Sequence, residues 1–540
     1  MKTGEKTFFT VILLVIPILI ISCSEKKTVW QASSGYKWAK LPAPDGSGTG
    51  FLKHDPSETG INFVNDLTGE QIISNRHLLD GSGVAIGDVD NDGYCDIYFC
   101  RLNGANALYR NLGDWKFEDI TDSAGVAYKN HFAKGAVFAD IDVDGDLDLL
   151  ITVLDGPNAC FINDGHGKFT EQTPLYGLIS LEDRTGNTTM TLGDIDGDGD
   201  LDLYMASYKF KSLRDRASPK INLEGLMLYE SDTGERDILY INDGKGHFKD
   251  APLESDRFIR EDNVPDVIPR AWGLTAQMQD MDNDGDPDIY VCNDFSSPDF
   301  IWINDGTGRF RAIERTAIRT TSSSSMTVDF SDINRDGNVD IFVADMLSRD
   351  HQKRMMQMGN TPRTNITVGL INDRPQIVRN TVFLNRGDGS YTEIANYSGL
   401  DASDWTWSAI FTDVDLDGYE DLLVTTGHAY DVQDYDAQNN IIRKKIRTVE
   451  ELRRAIFMYP RLETNNYLFH NNRDLTFTEK GGDWGFSDSG ISHGMALGDL
   501  DNDITRPRTK PRIRSSSRTS RRSIPTSICH LSGTMNRPRT

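Results

Sequence analysis

Positive charge is scarce in this 540-residue chain. Its 57 Lys and Arg stand against 82 Asp and Glu, a formal net charge of −25. Phosphate backbones are held by basic surfaces, so an acidic body argues against nucleic acid as a direct partner, with a nucleic-acid-binding basic tail as the alternative. The deficit is uneven. From Ile504 to Thr540 there are ten Lys or Arg and no Asp or Glu, which leaves about −35 on the rest. Cysteine is also sparse, at six, with no CxxC and no Cys/His zinc spacing. Cys100 and Cys292 each lie twelve residues after the first Asp of an acidic loop, so they occupy equivalent strand positions that do not touch. Cys95 and Cys160 lack evident partners, and buried free thiols are expected. Motifs for nucleophilic, metalloprotease, phosphate-loop and dinucleotide chemistry are missing: no GxSxG, HExxH, Walker A or GxGxxG. No catalytic and no cofactor-binding residue is therefore assigned. His131, His428 and His493 read as structural, and Trp405-Thr406-Trp407 as core packing, with a sugar-stacking surface as the alternative.

The single long apolar run is Phe8 to Ile21, behind Lys2 and Lys6 and ending at Ser22-Cys23. It is too short for a comfortable membrane span and has the size of a signal-peptide core. Ile20-Ile21-Ser22-Cys23 resembles a bacterial lipobox. The resemblance implies cleavage after residue 22 and lipidation of Cys23. Ser24 after the cysteine suits outer-membrane sorting in a Gram-negative cell. Residues 1–22 then form the signal peptide and 23–60 a tether and lead-in.

What the chain has in excess is Asp, arranged in a repeat. Nine-residue loops recur at Asp88–Asp96, Asp140–Asp148, Asp194–Asp202, Asp280–Asp288, Asp332–Asp340 and Asp413–Asp421, and a seventh starts at Asp499 and breaks after Asp503. Start-to-start spacings are 52, 54, 86, 52, 81 and 86, a unit of about fifty residues with three insertions. Alternate short carboxylates converge on one point, and glycine at position 6 permits a tight turn. The candidate ligands are Asp88, Asp90, Asp92 and Asp96 with the Tyr94 carbonyl; Asp140, Asp142, Asp144 and Asp148 with Asp146; and Asp194, Asp196, Asp198 and Asp202 with Asp200. They continue with Asp280, Asp282, Asp284 and Asp288 with Asp286; Asp332, Asn334, Asp336 and Asp340 with Asn338; and Asp413, Asp415, Asp417 and Asp421 with Tyr419. Hard oxygen donors in flexible number suit Ca²⁺ better than Mg²⁺. An EF-hand is excluded, because position 12 of the third loop is Met205 and the flanks are β-prone.

Each unit reads as a small, apolar strand, the Asp loop, a second strand, and a hairpin of the form apolar–Asn-x-Gly–x-Gly-x-aromatic, as in Phe161 to Phe169 and Ile303 to Phe310. Four short antiparallel strands per unit, at this period, specify an all-β fold: a seven-bladed β-propeller with its last blade incomplete. The D-x-D-x-D-G-x-x-D loops resemble the FG-GAP/VCBS repeat family, that of the integrin α-subunit head. The layout is similar to bacterial lipoproteins of the cartilage-acidic-protein (ASPIC/UnbV) class, which carry further repeats and a C-terminal domain.

The propeller is expected over residues 61–503, with insertions near 209–236, 348–379 and 428–464 on one side of the disc. The last contains Thr448 to Phe457, with a capping Thr, early acids and later arginines, which predicts a helix. A short helix around Leu223–Leu228 is also expected. After Asp503 the text turns to Arg, Ser and Pro, and 504–540 reads as a disordered, out-of-frame tail. The functional expectation is a calcium-stabilised cell-surface propeller that binds protein or glycan and is not an enzyme. A polysaccharide lyase or hydrolase, and an outer-membrane assembly scaffold, are the alternatives.

Overall fold

The computed structural model describes residues 50–501, except 174–175, 179–185, 209–233, 252–256, 263, 266–269, 295–296, 358–373, 445 and 447. It also gives the backbone of short strands at Gln31–Ser33, Tyr36–Trp38 and Ser527–Cys529. The expected signal peptide, Cys23, the helix near Leu223 and most of the tail lie outside the described residues. The first two short strands form a hairpin in a separate unit, Met1–Ser47.

Six four-stranded antiparallel sheets follow one another in the remainder. Blade 1 runs through Val84–Gly87, Asp96–Phe99, Ala107–Asn111 and Phe117–Asp119. Blade 2 uses Phe132–Ala139, Asp148–Leu154, Ala159–Asn163 and Phe169–Glu171. Blade 3 uses Asn187–Gly193, Asp202–Ser207, Ile238–Ile241 and Lys249–Asp250. Blade 4 uses Gly273–Gln279, Asp288–Asn293, Phe300–Asn304 and Phe310–Ala312. Blade 5 uses Thr327–Ser331, Asp340–Ala344, Thr381–Asn385 and Tyr391–Glu393. Blade 6 uses Thr406–Thr412, Asp421–Thr426, Tyr467–Asn471 and Phe477–Glu479.

The fold is thus the expected propeller, with six complete blades among the described residues rather than seven. The seventh acidic repeat supplies one strand, Ala496–Gly498, beside the first strand of blade 1. It pairs with Ser527–Cys529. The first strands of successive blades lie side by side, and each second strand is buried along its whole length. This explains the near-continuous apolar runs such as Leu149 to Leu154: a strand covered by sheets on both faces has no polar side. Blade-to-blade cores join these strands, as where Tyr98 and Leu108 of blade 1 pack with Ile151 and Phe161 of blade 2.

A polar clasp repeats at every one of these joints. The Asn that ends each third strand donates from Nδ2 to the position-2 carbonyl of the preceding loop. Asn163 reaches Val89 at 2.8 Å, Asn242 reaches Ile141 at 2.9 Å and Asn304 reaches Ile195 at 2.8 Å. Asn385 reaches Met281 at 3.1 Å and Asn471 reaches Ile333 at 2.9 Å. Asn111 reaches Leu500 at 2.8 Å, in the seventh repeat.

Several elements lie outside the repeat. Blade 4 gains a fifth strand, Phe258–Ile259, parallel to Phe310–Ala312, which the spacing did not announce. The helix expected from Thr448 is α-helical only over Val449–Arg454 and continues as a 3₁₀ turn over Ala455–Met458. Thr448 and Glu451 cap it reciprocally. Helices His351–Gln357 and Tyr435–Arg443 were not anticipated. Among the described residues, no helix is long and apolar enough to cross a membrane.

Candidate metal centres

The acidic loops join the first and second strands of each blade. Their shape follows from carboxylates accepting backbone N–H groups. In the first loop Asp88 accepts from Asp92 and Gly93 at 3.1 and 2.9 Å, and Asp92 accepts from Tyr94 at 2.8 Å. Gly93 sits at φ 95°, as position 6 requires. Position 4 is also left-handed in all six loops, occupied by Asn91, Val143, Gly197, Asn283, Arg335 and Leu416 at φ between 58° and 75°. That second kink turns the chain so that positions 1, 3 and 5 face one point.

The last Asp of each loop belongs to the blade as much as to the loop. In blade 1 Asp96 accepts from Val89 N–H at 3.0 Å and from Asn111 N–H at 2.8 Å. The same pair of bonds recurs on Asp148, Asp202, Asp288, Asp340 and Asp421. Burial pushes the carboxyls of Asp96, Asp148, Asp202 and Asp340 up to about 7, Asp288 to about 8 and Asp421 to about 6. Burial, then Asp198 and its neighbours, lifts Asp200 to about 6.

The structure brings three of the expected ligands together in each of loops 1 to 4. Oxygens of Asp88, Asp90 and Asp96 lie within 4.8 Å of one another, as do those of Asp140, Asp142 and Asp144, of Asp194, Asp196 and Asp198, and of Asp280, Asp282 and Asp288. At that separation two carboxylates repel by about 3 kcal/mol at an effective dielectric of about 20. Buried Oδ1 atoms of Asp140, Asp142, Asp196, Asp200 and Asp280 have no hydrogen-bond partner. An all-oxygen set with orphaned, buried lone pairs fits a hard divalent cation.

The other two loops differ. In the fifth, Asp336 receives both Asn334 Nδ2 and Asn338 Nδ2, at 3.0 and 2.9 Å, so amide donors take up its charge. In the sixth, His470 Nδ1 lies 3.0 Å from Asp421 Oδ1, and Arg473 donates twice to Asp417 Oδ2 at 2.8 and 2.6 Å. His470 also joins Asp415 and Asp417 in a mixed nitrogen–oxygen cluster. The repeat contains the signal for it. His470 directly precedes the clasp Asn, where blades 2 to 5 carry Ile162, Ile241, Ile303 and Leu384.

The opposite end of the disc is built differently. The second strands of blades 3, 5 and 6 end there, at Ser207, Ala344 and Thr426. Residues of the 428–464 insertion, Tyr430 and Ile456 among them, pack with Leu67, Ile72 and Leu78, which precede the first strand of blade 1. His493 Nε2 bonds the Leu79 carbonyl at 3.2 Å, and His428 Nδ1 bonds that of Tyr430 at 2.6 Å. Burial lowers both imidazoles, His493 to about 3, so they are neutral ties. Trp405 is buried and stacks on His428 at 4.3 Å, and His131 stacks on Tyr128 at 4.2 Å. Cys100, Cys160 and Cys292 are buried free thiols, and Cys95 is a half-buried one.

The sequence profile of the FG-GAP-like repeat matches residues 88–151, 140–205, 280–343 and 368–424; the first three begin at one acidic loop and end in the strand after the next, and the fourth ends in the strand after the sixth loop. The blades are similar to FG-GAP-like repeats over these spans. Human cartilage acidic protein 1 is 27% identical over 167 residues, covering 30% of this chain and 25% of that protein. The Xenopus tropicalis protein is 28% identical over 132 residues, covering 24% and 20%. The chain thus spans about a quarter of the length of these curated relatives. Among solved structures, an Agrocybe aegerita lectin that recognises non-reducing terminal N-acetylglucosamine aligns with a TM-score of 0.38 at 15% identity, over 74% of this chain and 82% of that one. The Aleuria aurantia lectin aligns at 0.34 and 10%, over 74% and 94%. Likeness at that level carries neither a ligand nor a site across.

Proposed function

We propose that the protein is an exported, calcium-stiffened propeller that presents a recognition surface for a protein or glycan partner and performs no catalysis. The observation that carries this is the division of labour between the two ends of the disc. One end holds repeated carboxylate clusters made from the blades themselves. The other holds the 428–464 insertion, foreign to the repeat and set on a rigid sheet framework, which is where binding surfaces are usually built. Loops 1 to 4 are the calcium loops, with Asp88, Asp140, Asp194 and Asp280 as their first ligands. The ion supplies charge neutralisation and nothing else; the chain's own Asp residues fix the hairpins. The ring has seven positions, because Asn111 clasps Leu500 as Asn163 clasps Val89. Cys23 carries a lipid that holds the protein at the outer membrane of a Gram-negative cell.

A glycan array and a surface-extract pull-down with the recombinant chain test this reading. Selective capture is expected, together with intact recovery of every polysaccharide offered. Shortened polysaccharide products would overturn the non-enzymatic assignment, and absence of any capture would overturn recognition. Cys23→Ser is expected to release the protein from the membrane fraction without its lipid mass.

A further inference from the structure

One cavity lies outside the acidic loops and outside the repeat. It measures about 550 Å³ and sits against the outer strands of blade 4. Phe300, Trp302 and Ala312 wall it on the blade side; Arg260, Arg315 and Arg374 come from connecting segments around it. Glu261, Asp262 and Asp299 also line it, so three arginines face three carboxylates.

Two buried donors there lack acceptors: Arg374 Nε and Trp302 Nε1 have no hydrogen-bond partner among the described residues. Trp302 is only 3% exposed. An orphaned buried N–H costs stability unless something accepts from it, so a site holding two of them is built for an acceptor. Arg374 is held from the other side, donating from Nη2 to the Ile313 carbonyl at 3.1 Å. The rim arginines are already matched: Arg315 Nε to Glu261 at 3.1 Å and Arg260 to Asp262 at 3.3 Å. Asp299, also lining the cavity, has both oxygens engaged, by Tyr290, Ser325 and the Asn293 N–H. Arg374 is partly balanced by the charges of Glu261 and Asp299, yet its Nε keeps no acceptor among the described residues.

We propose that this cavity binds the carboxylate of a uronic-acid residue in an acidic polysaccharide, with Arg374 and the Trp302 indole N–H as its donors. The inference rests on the recognition function proposed above and names a ligand class for it. A planar carboxylate presents two acceptor oxygens to such a pair, and the Phe300 and Trp302 rings supply the apolar wall that pockets of this volume use to hold a ring. An acidic peptide fits less well. Peptides bind propeller edges by adding a strand. Here the outer edge of blade 4 is covered by Phe258–Ile259, itself bridged to Pro265, which has no N–H to donate.

The test is calorimetry of the full chain with a glucuronate-containing oligosaccharide and its carboxyl-reduced counterpart. The reduced sugar is expected to bind at least about tenfold more weakly, since it removes a charged acceptor. W302F keeps the ring and removes the donor, and is expected to weaken only the acidic sugar. E261Q removes a competing carboxylate and is expected to tighten it. R374Q is expected to abolish binding, and W302F and E261Q carry the test if that variant does not fold. Equal affinity for the reduced sugar, no effect of W302F and E261Q, or displacement by an acidic peptide at equal affinity would overturn the proposal. Capture of a protein or neutral glycan that W302F leaves unchanged would overturn it too, while leaving the general recognition function intact.

Discussion

At the scale of single residues, the acidic loops carry strain that composition hides. Position 4 is left-handed whether its side chain tolerates that or not, and Val143, at φ 63°, does not. A β-branched residue in that region is an outlier costing on the order of 1–2 kcal/mol. Val143 is 60% exposed, so little packing is lost by changing it. Val143→Asn is expected to stabilise the protein by about 1 kcal/mol, read by urea unfolding at fixed calcium. His493 makes a second residue-scale prediction. Its folded pKa, about 3, lies below the ordinary value near 6.5, so the unfolded chain binds the proton first. The His493 contribution is intact above about pH 6.5 and is lost as pH falls toward 3. H493Q keeps a donor for the Leu79 carbonyl without a titrating ring. Its stability relative to wild type should therefore rise between pH 7.5 and pH 5, and equal pH slopes for the two would count against the assignment. The carboxylate ligands were legible in the sequence because they repeat in type. The position-4 kink was not, because Asn, Val, Gly, Arg and Leu share no propensity and are forced there by the carboxylates on either side.

At the scale of elements, the blade is a sheet plus its clasp. The Asn ending each third strand makes bonds within its own blade and to the one before. Asn304 donates to both Ile195 and Pro287 carbonyls and accepts from Gly306. Asn304→Ala strands two buried carbonyls and is expected to cost about 2–4 kcal/mol in chemical denaturation; Asn304→Asp, which turns a carboxylate oxygen toward those carbonyls in place of the donor, is expected to cost at least as much. The Asn-x-Gly signal was readable as a turn. Its larger task was hidden, because the Val89 and Ile195 carbonyls it serves in other blades lie 74 and 109 residues away. The helix after Thr448 was legible for the opposite reason, since both halves of its cap lie within three residues. The fifth strand of blade 4 had no such local mark: Phe258–Ile259 is two residues long and pairs with a strand fifty residues later.

For the whole molecule, electrostatics sets the dependence on calcium. Loops 1 to 4 bring clustered carboxylates together, with Arg110 3.9 Å from Asp90 in the first; the fifth answers them with amides and the sixth with His470 and Arg473. Chelation is expected to lower the melting temperature, with restoration by added Ca²⁺. Each loop contributes about 2.7 kcal/mol when free ion stands at about a hundredfold its dissociation constant. The number of ions released is expected to be nearer four than six, countable by calorimetry, and an unchanged melting temperature in EDTA would sink the calcium assignment. The global plan was legible because self-similarity at a fifty-residue period has few solutions. The seventh position was legible as a loop, while its blade is represented among the described side chains by Ala496–Gly498 alone.

The direction of the clasps has a consequence for how the ring is made. Five of them reach back to a loop synthesised earlier, so each blade can lock onto its predecessor as the chain emerges. The sixth runs the other way: Asn111 waits for Leu500, 389 residues downstream. Until then the protein is an open spiral whose first blade has one unsealed flank. Loop-closure entropy grows slowly with length, so the delay costs little at equilibrium. Its weight falls on timing: a chaperone or a competing strand has the whole of translation in which to meet that flank, and ring closure is a single late event.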